Sequence, residues 1–93
     1  MKTTIIIPNY NGIEYLENCL LSLQKCEPNE FHVIVVDNGS TDGCVELLKE
    51  KFPAVEAIFL PENIGFAPAV NRGLELVKTP YALLLNNDIT VES

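Results

Sequence analysis

Basic side chains are scarce. Lys and Arg total 6 against 13 Asp and Glu, the net charge is −7, and Arg72 is the single arginine. With no Lys/Arg cluster there is no basic face for a polyanion, which argues against nucleic-acid or anionic-membrane binding. Long apolar runs are also missing. Those present, such as Ile5 to Ile7 and Ala82 to Leu85, fall far short of the roughly 20 residues that a spanning helix needs. The N-terminus, one Lys and three Ile before Pro8, is too short and too poor in small residues for a signal peptide. Cysteine is limited to Cys19, Cys26 and Cys44, an odd count without a CxxC pair. A disulfide framework and a structural zinc site are therefore not expected, and a reducing, cytoplasmic setting fits.

Hydrophobic residues make up 47% of the 93 and charged residues 20%. That balance belongs to a soluble globular chain and excludes a disordered or collagen-like one. A domain this small buries about 60–65% of its unfolded surface, so its stability margin is narrow. The length suits one domain or a piece of a larger protein.

Four β-rich segments alternate with three of helical spacing. Strands are expected at Thr3 to Ile7, Phe31 to Val36, Val55 to Leu60 and Tyr81 to Leu85. Pro8 should stop the first and Pro61 follows the third. Helices are expected at Ile13 to Lys25, Cys44 to Phe52 and Phe66 to Lys78. The first carries apolar Leu16, Cys19, Leu20 and Leu23 at helical intervals. Ser40, Thr41 or Asp42 should cap the second, and Phe66, Val70, Leu74 and Val77 form the apolar stripe of the third. The order β-α-β-α-β-α-β means a parallel sheet with right-handed crossovers, an α/β fold of Rossmann-like type. Such sheets bind ligands beyond the C-terminal ends of their strands. Polar clusters fall at all four of those ends: Asn9-Tyr10-Asn11, Asp37-Asn38, Glu62-Asn63 and Asn86-Asn87-Asp88. The lone His32 opens the second strand, at the opposite end.

Three common α/β readings fail. A dinucleotide fold wants GxGxxG after its first strand, where this chain has PNYNG. A P-loop needs GK[ST], and no Gly here precedes Lys. A phosphoacceptor receiver domain carries acids where this chain has Pro8-Asn9.

The segments IIIPNYNG, VVDNGSTDG, NIGFAPAVNRG and YALLLNND, in this order and spacing, resemble the family 2 glycosyltransferases of the GT-A fold. The match runs from Thr3 to Val91. The NIGFA and LLLNND forms look most like the rhamnosyltransferase-like branch. The resemblance implies a three-layer α/β/α sheet in the order third, second, first, fourth strand. It also implies the nucleotide-sugar-binding half of an enzyme, residues 1–93 forming one domain that ends soon after the acidic DxD-type motif.

By the same resemblance, Pro8, Asn9, Tyr10 and Asn11 pack around a nucleotide base, with Tyr10 offering a flat face and a polar tip. Asp37 and Asn38 form the second base-binding turn. Family members commonly have two acids there; the Asn38 oxygen accepts the same bond without charge assistance. Asn63, Gly65 and Asn71 lie near the ribose and diphosphate. Asn86, Asn87 and Asp88 match the DxD-type motif, and Asp88, its one carboxylate, is the expected ligand for Mg²⁺ or Mn²⁺. The donor implied by the resemblance is a UDP- or dTDP-sugar, uracil and thymine presenting the same imide edge. The catalytic base and the acceptor-binding half are expected beyond Ser93, so the chain alone is expected to be inactive.

Each assignment has a plainer counterpart. Asp88 can cap a strand, Asp37 and Asn38 can serve a turn, and Tyr10 can pack. Asn63 and Asn71 can bond local backbone, and Arg72 can be a solvated helix residue or reach a phosphate. Two rival functions stand beside the enzyme: a binding module that kept the fold, and a self-associating one. Self-association is expected through the bare apolar edge of the fourth strand, giving a homo-oligomer.

Overall fold

The computed structural model describes residues 2–26 and 31–88. Most of the expected CEPNE loop and the last residues of the motif match lie outside them. In chain order the elements are β1 (Thr3–Asn9), α1 (Ile13–Gln24), β2 (Phe31–Asp37), α2 (Cys44–Lys51), β3 (Glu56–Phe59), α3 (Phe66–Leu74) and β4 (Tyr81–Leu84). The strands are parallel in the order β3-β2-β1-β4, as expected.

Alternation along the central strands sorts their side chains onto two faces. Ile5, Ile7 and Val35 pack with Leu16, Cys19, Leu20 and Leu23 of α1 and with Cys44, Leu47 and Leu48 of α2. Ile6, Ile34 and Val36 pack on the other face with Leu60 and Ala69 of α3. The result is three layers, two helices on one face and one on the other.

Pro8 does not end β1, which continues through Asn9. It ends one of its two ladders. Lys2 and Ile6 of the chain accept N–H groups from Tyr81 and Leu85, so the even-numbered residues of β1 face β4. Pro8 is the next in that series and has no N–H to give. Pairing with β4 stops at Ile6 and Leu84, whereas pairing with β2 runs on to Asn9 and Asp37. A fork opens between β1 and β4 at the end where the polar clusters gather.

Helix α3 departs from the expected stripe and length. Its buried residues are Ala69 and Gly73, while Phe66 and Leu74 are exposed. Small residues let the helix backbone sit close on the sheet: a Cβ on Gly73 would lie 2.9 Å from Ile6 Cγ2 and 3.1 Å from Val36 Cγ2. The chain leaves α3 through tight turns, Leu76 N–H to Gly73 and Val77 N–H to Leu74, so helix does not reach Lys78.

The cap of α2 is also divided. Gly43 occupies the cap position, and Asp42 beside it supplies the side-chain acceptor. His32 sits where expected, pairing with Glu56 at 2.6 Å. All three cysteines are free.

Candidate functional site

Strands of a parallel sheet end at the edge where their following helices begin. Loops 9–12, 38–43 and 60–65 therefore lie together, with the segment after β4 beside them. They surround an open cavity of about 340 Å³ lined by Pro8, Asn9, Tyr10, Asn38, Asn63, Phe66, Asn86, Asn87 and Asp88. Eight of the twelve expected site residues are on its wall.

Of the other four, Asn11, Asp37 and Gly65 build the wall from behind. Asp37 is 1% exposed. Its Oδ1 accepts the Asn9 amide at 3.1 Å and its Oδ2 accepts the Ser40 N–H at 3.0 Å. Asn11 adopts φ +49, tolerable for Asn, and its Oδ1 accepts the Thr41 N–H at 2.7 Å. Its own N–H donates to Ser40 Oγ. The first and second loops are thus stitched together. Gly65 turns the chain into α3, where its N–H donates to Asn63 Oδ1. Asn71 lies farther along α3, exposed and away from the cavity.

Asn38 explains its own departure from the family's second acid. Its Nδ2 donates to Asn63 Oδ1 at 3.0 Å and to the Gly65 carbonyl at 3.1 Å, and its Oδ1 accepts the Ile64 N–H at 2.9 Å. A carboxylate cannot donate, so only an amide makes all three bonds. Asn38 fastens the third loop to the second. Gly39 permits their close approach: its φ is +82, and a Cβ there would lie 2.6 Å from the Glu62 carbonyl carbon.

Phe66 is the wall residue that sequence reasoning assigned to the core. Its signal was position: it is the first residue of α3, directly after the Gly65 turn, so it sits at the sheet edge rather than over the sheet. Tyr10 and Phe66 are each at least half solvent-exposed here, two aromatic faces open to a ligand.

The electrostatics at this edge are mixed. All three helices point their positive ends toward it. Glu14 and Glu46 occupy the first turns of α1 and α2, whereas the first turn of α3 has no acid. Among the described residues Asp88 is the one carboxylate on the cavity wall. Among the described residues no three His, Cys, Asp or Glu side chains form a metal-holding group. A single carboxylate amid neutral amides fits a hard cation that draws its other oxygens from a bound diphosphate and water. Burial pushes the Cys19 thiol above its ordinary value, and the charge of Asp88 adds to the effect.

Comparison with known proteins finds the chain similar to glycosyltransferases and to a teichoic acid polymerase. The teichoic acid poly(glycerol phosphate) polymerase of Staphylococcus epidermidis is 40% identical over 91 residues, 94% of this chain and 13% of that protein. TarS 1-349 of S. aureus, solved in complex with UDP-GlcNAc, superimposes with a TM-score of 0.86 at 28% identity, over 99% of this chain and 28% of that one. It has also been solved in complex with UDP. The mannosyltransferase PcManGT of Pyrobaculum calidifontis, in complex with GDP-Man and Mn²⁺, superimposes with a TM-score of 0.80 at 25% identity, over 99% of this chain and 29% of that one. None of these three is named a rhamnosyltransferase. The chain spans between 13% and 35% of the length of the curated relatives compared. Residues 4–93 match the family model for Glycosyl transferase family 2, and with that match over nearly its whole length the chain belongs to this glycosyltransferase family.

Proposed function

We propose that this chain is the donor-binding half of a glycosyltransferase and holds a UDP- or dTDP-sugar with Mg²⁺ or Mn²⁺. The observation that carries the reading is the convergence of all four strand-end motifs on one polar cavity. The likeness to TarS, solved with UDP and UDP-GlcNAc, supports the choice of nucleotide.

Tyr10 offers its ring to the base, and Asn63 and Asn86 offer amides to the ribose and diphosphate. The acid-free end of α3 favours the diphosphate charge. Asp88 would hold the metal, together with diphosphate oxygens. A bound divalent cation neutralises the charge that gathers on a departing nucleoside diphosphate. Deprotonating an acceptor hydroxyl needs a further base. Among the described residues the wall holds no carboxylate besides Asp88, so in this reading the base belongs to another part of the longer enzyme and the chain alone binds without turnover. The product class is a cell-surface polymer, in keeping with the name of the S. epidermidis relative.

Titration calorimetry with UDP and dTDP, with and without Mn²⁺, tests the reading on the wild type and on Asp88→Ala. Metal-dependent binding that disappears in the variant is the expected result. A folded chain that binds neither nucleotide at millimolar concentration overturns it and leaves a family fold without a working donor site.

A second reading, self-association through β4, is favoured by the exposure of Tyr81, Leu83 and Leu84 on a strand at the edge of the sheet. A second copy would continue the sheet there. Light scattering that returns a monomer mass across a wide concentration range rejects it.

A further inference from the structure

The segment that carries Asp88 has little backbone support. The last ladder bond from it to β1 is Leu85 N–H to the Ile6 carbonyl, at 2.9 Å. Beyond that point Pro8 has no N–H, and Asn86, Asn87 and Asp88 leave the sheet. A side chain takes over: Asn87 Nδ2 donates to Asn9 Oδ1 at 2.7 Å, across 78 residues of sequence.

The direction of this bond is dictated from below. Asn9 is 2% exposed, and its Nδ2 meets Asp37 Oδ1 at 3.1 Å and Ser40 Oγ at 3.4 Å. An ionised carboxylate only accepts, so the donor end of Asn9 must turn toward Asp37. Its acceptor end then faces Asn87, which in turn must present its NH₂ group. The order of polarity runs from Asp37 through Asn9 to Asn87, and the next residue is Asp88.

Gly12 gives an independent sign that this contact is built. Its φ of −118 is open to any residue, so backbone conformation does not call for glycine. Space does. A Cβ there would lie 2.5 Å from Asn87 Nδ2 and 3.1 Å from Asn9 Oδ1. The chain has left out a side chain where the Asn87 amide must fit.

We infer that Asn87 is a positioning residue whose amide, latched to Asn9 over the space left by Gly12, fixes the turn that aims Asp88 into the donor cavity. The inference rests on the proposed metal role of Asp88. Asn87 acts like the outer-shell partners that orient metal ligands elsewhere.

Asn87→Asp separates this role from direct ligation. A second carboxylate in the motif would strengthen metal binding if residue 87 were a ligand. Under the latch it weakens it, because a carboxylate facing Asn9 Oδ1 sets acceptor against acceptor. The readout is the factor by which Mn²⁺ tightens UDP binding. That factor is expected to fall by about tenfold in both Asn87→Asp and Asn87→Ala. A factor that rises in Asn87→Asp, or holds at the wild-type value in Asn87→Ala, overturns the inference.

A ligand-free arm reads the latch itself. Gly12→Ala should lower Tm in the wild type and lower it by less than half as much in an Asn87→Ala background, since the closest clash is with that amide. Equal losses in both backgrounds mean that no latch exists and overturn the inference. A wild type whose UDP binding ignores Mn²⁺ overturns the metal reading of Asp88, and the positioning role falls with it even where the Tm coupling shows the latch to be present.

Discussion

The carboxylate of Asp42 accepts the backbone N–H of Ile13, 29 residues earlier in the chain, at 3.0 Å. Its other oxygen accepts the N–H of Cys44 at 3.2 Å. One side chain thus serves the first turns of both α1 and α2, the helices that share a face of the sheet. The N-caps of these helices are glycines, which bring no side-chain acceptor of their own. Asp42 ties the loop behind the cavity to the framework that positions it.

Asp42→Ala removes both acceptors. At about 1 kcal/mol per lost cap, the expected destabilisation is about 2 kcal/mol, read from urea unfolding. Asp42→Asn should recover part of it, because an amide oxygen still accepts.

The same residue sets a pH dependence. Burial raises the Asp42 carboxyl, but hydrogen bonds from the Cys44 thiol and from backbone N–H groups including Ile13 and Cys44 outweigh it, and the group lies below its ordinary 3.8. A lowered folded value means that the unfolded chain binds the proton more readily. The contribution of Asp42 is therefore complete at neutral pH, begins to decline as pH falls toward 3.8, and is gone below the folded value. Unfolding of wild type and Asp42→Asn between pH 7 and 3 should show the wild-type advantage shrinking at the acid end. An advantage that is constant over that range counts against the assignment.

Gly73→Ala places a methyl group 2.9 Å from Ile6 Cγ2 and 3.1 Å from Val36 Cγ2 in the thin layer under α3. Alanine is the better helix former by about 1 kcal/mol. Overpacking against two side chains of the central strands costs about 1–3 kcal/mol and should win. Thermal unfolding is expected to show a lower Tm; a higher one would mean that α3 can lift from the sheet without loss.

Asn38→Asp exchanges a double donor for an acceptor facing Asn63 Oδ1 and the Gly65 carbonyl. Although it restores the acid common in the family, it should destabilise this chain by about 1–3 kcal/mol. Hydrogen exchange of the Ile64 and Gly65 amides should speed up as the third loop comes loose. Unchanged protection would show that the loop is held by other contacts.

Tyr10→Ala removes an exposed ring from the cavity wall while leaving the core untouched. If the ring stacks on the base, UDP affinity should fall by about tenfold, on the scale of base–aromatic stacking. Tyr10→Phe should keep most of it. Calorimetry on the two variants distinguishes ring from hydroxyl.

The thiols offer a check on packing. Cys19 and Cys44 are buried, and burial, reinforced by the neighbouring Asp42 carboxylate, pushes the Cys44 thiol up to about 11. A native chain at pH 8 should take up alkylating reagent at Cys26 alone, and at all three positions in denaturant. Rapid labelling of Cys44 in the native state would contradict the packing of α2.

Periodicity and punctuation made the elements legible. Alternating strand and helix periods, broken at polar turns, foretold the order of elements, and the parallel-sheet rule put the four polar clusters at one edge. Element ends were less legible, as α3 shows. A stripe of large apolar residues at helical spacing reads as a buried face, yet Ala69 and Gly73 are the residues that touch the sheet. Hydrophobicity ranks Phe66 and Leu74 above them, and only the distance between helix and sheet makes small size the deciding property.

The sequence by itself determined the α/β class, the parallel order of elements and the edge where the polar clusters gather, because these follow from local backbone preference and from the one-sided way parallel strands connect. The tertiary structure decided what each polar residue does at that edge. Asp37 and Asn11 turned out to hold loops together, Asn38 to fasten a third loop, and Asn9 to receive Asn87 from 78 residues away. Hydrogen-bond roles depend on which donors and acceptors meet in space. A residue's type fixes what it can offer, and only the folded chain fixes what it faces.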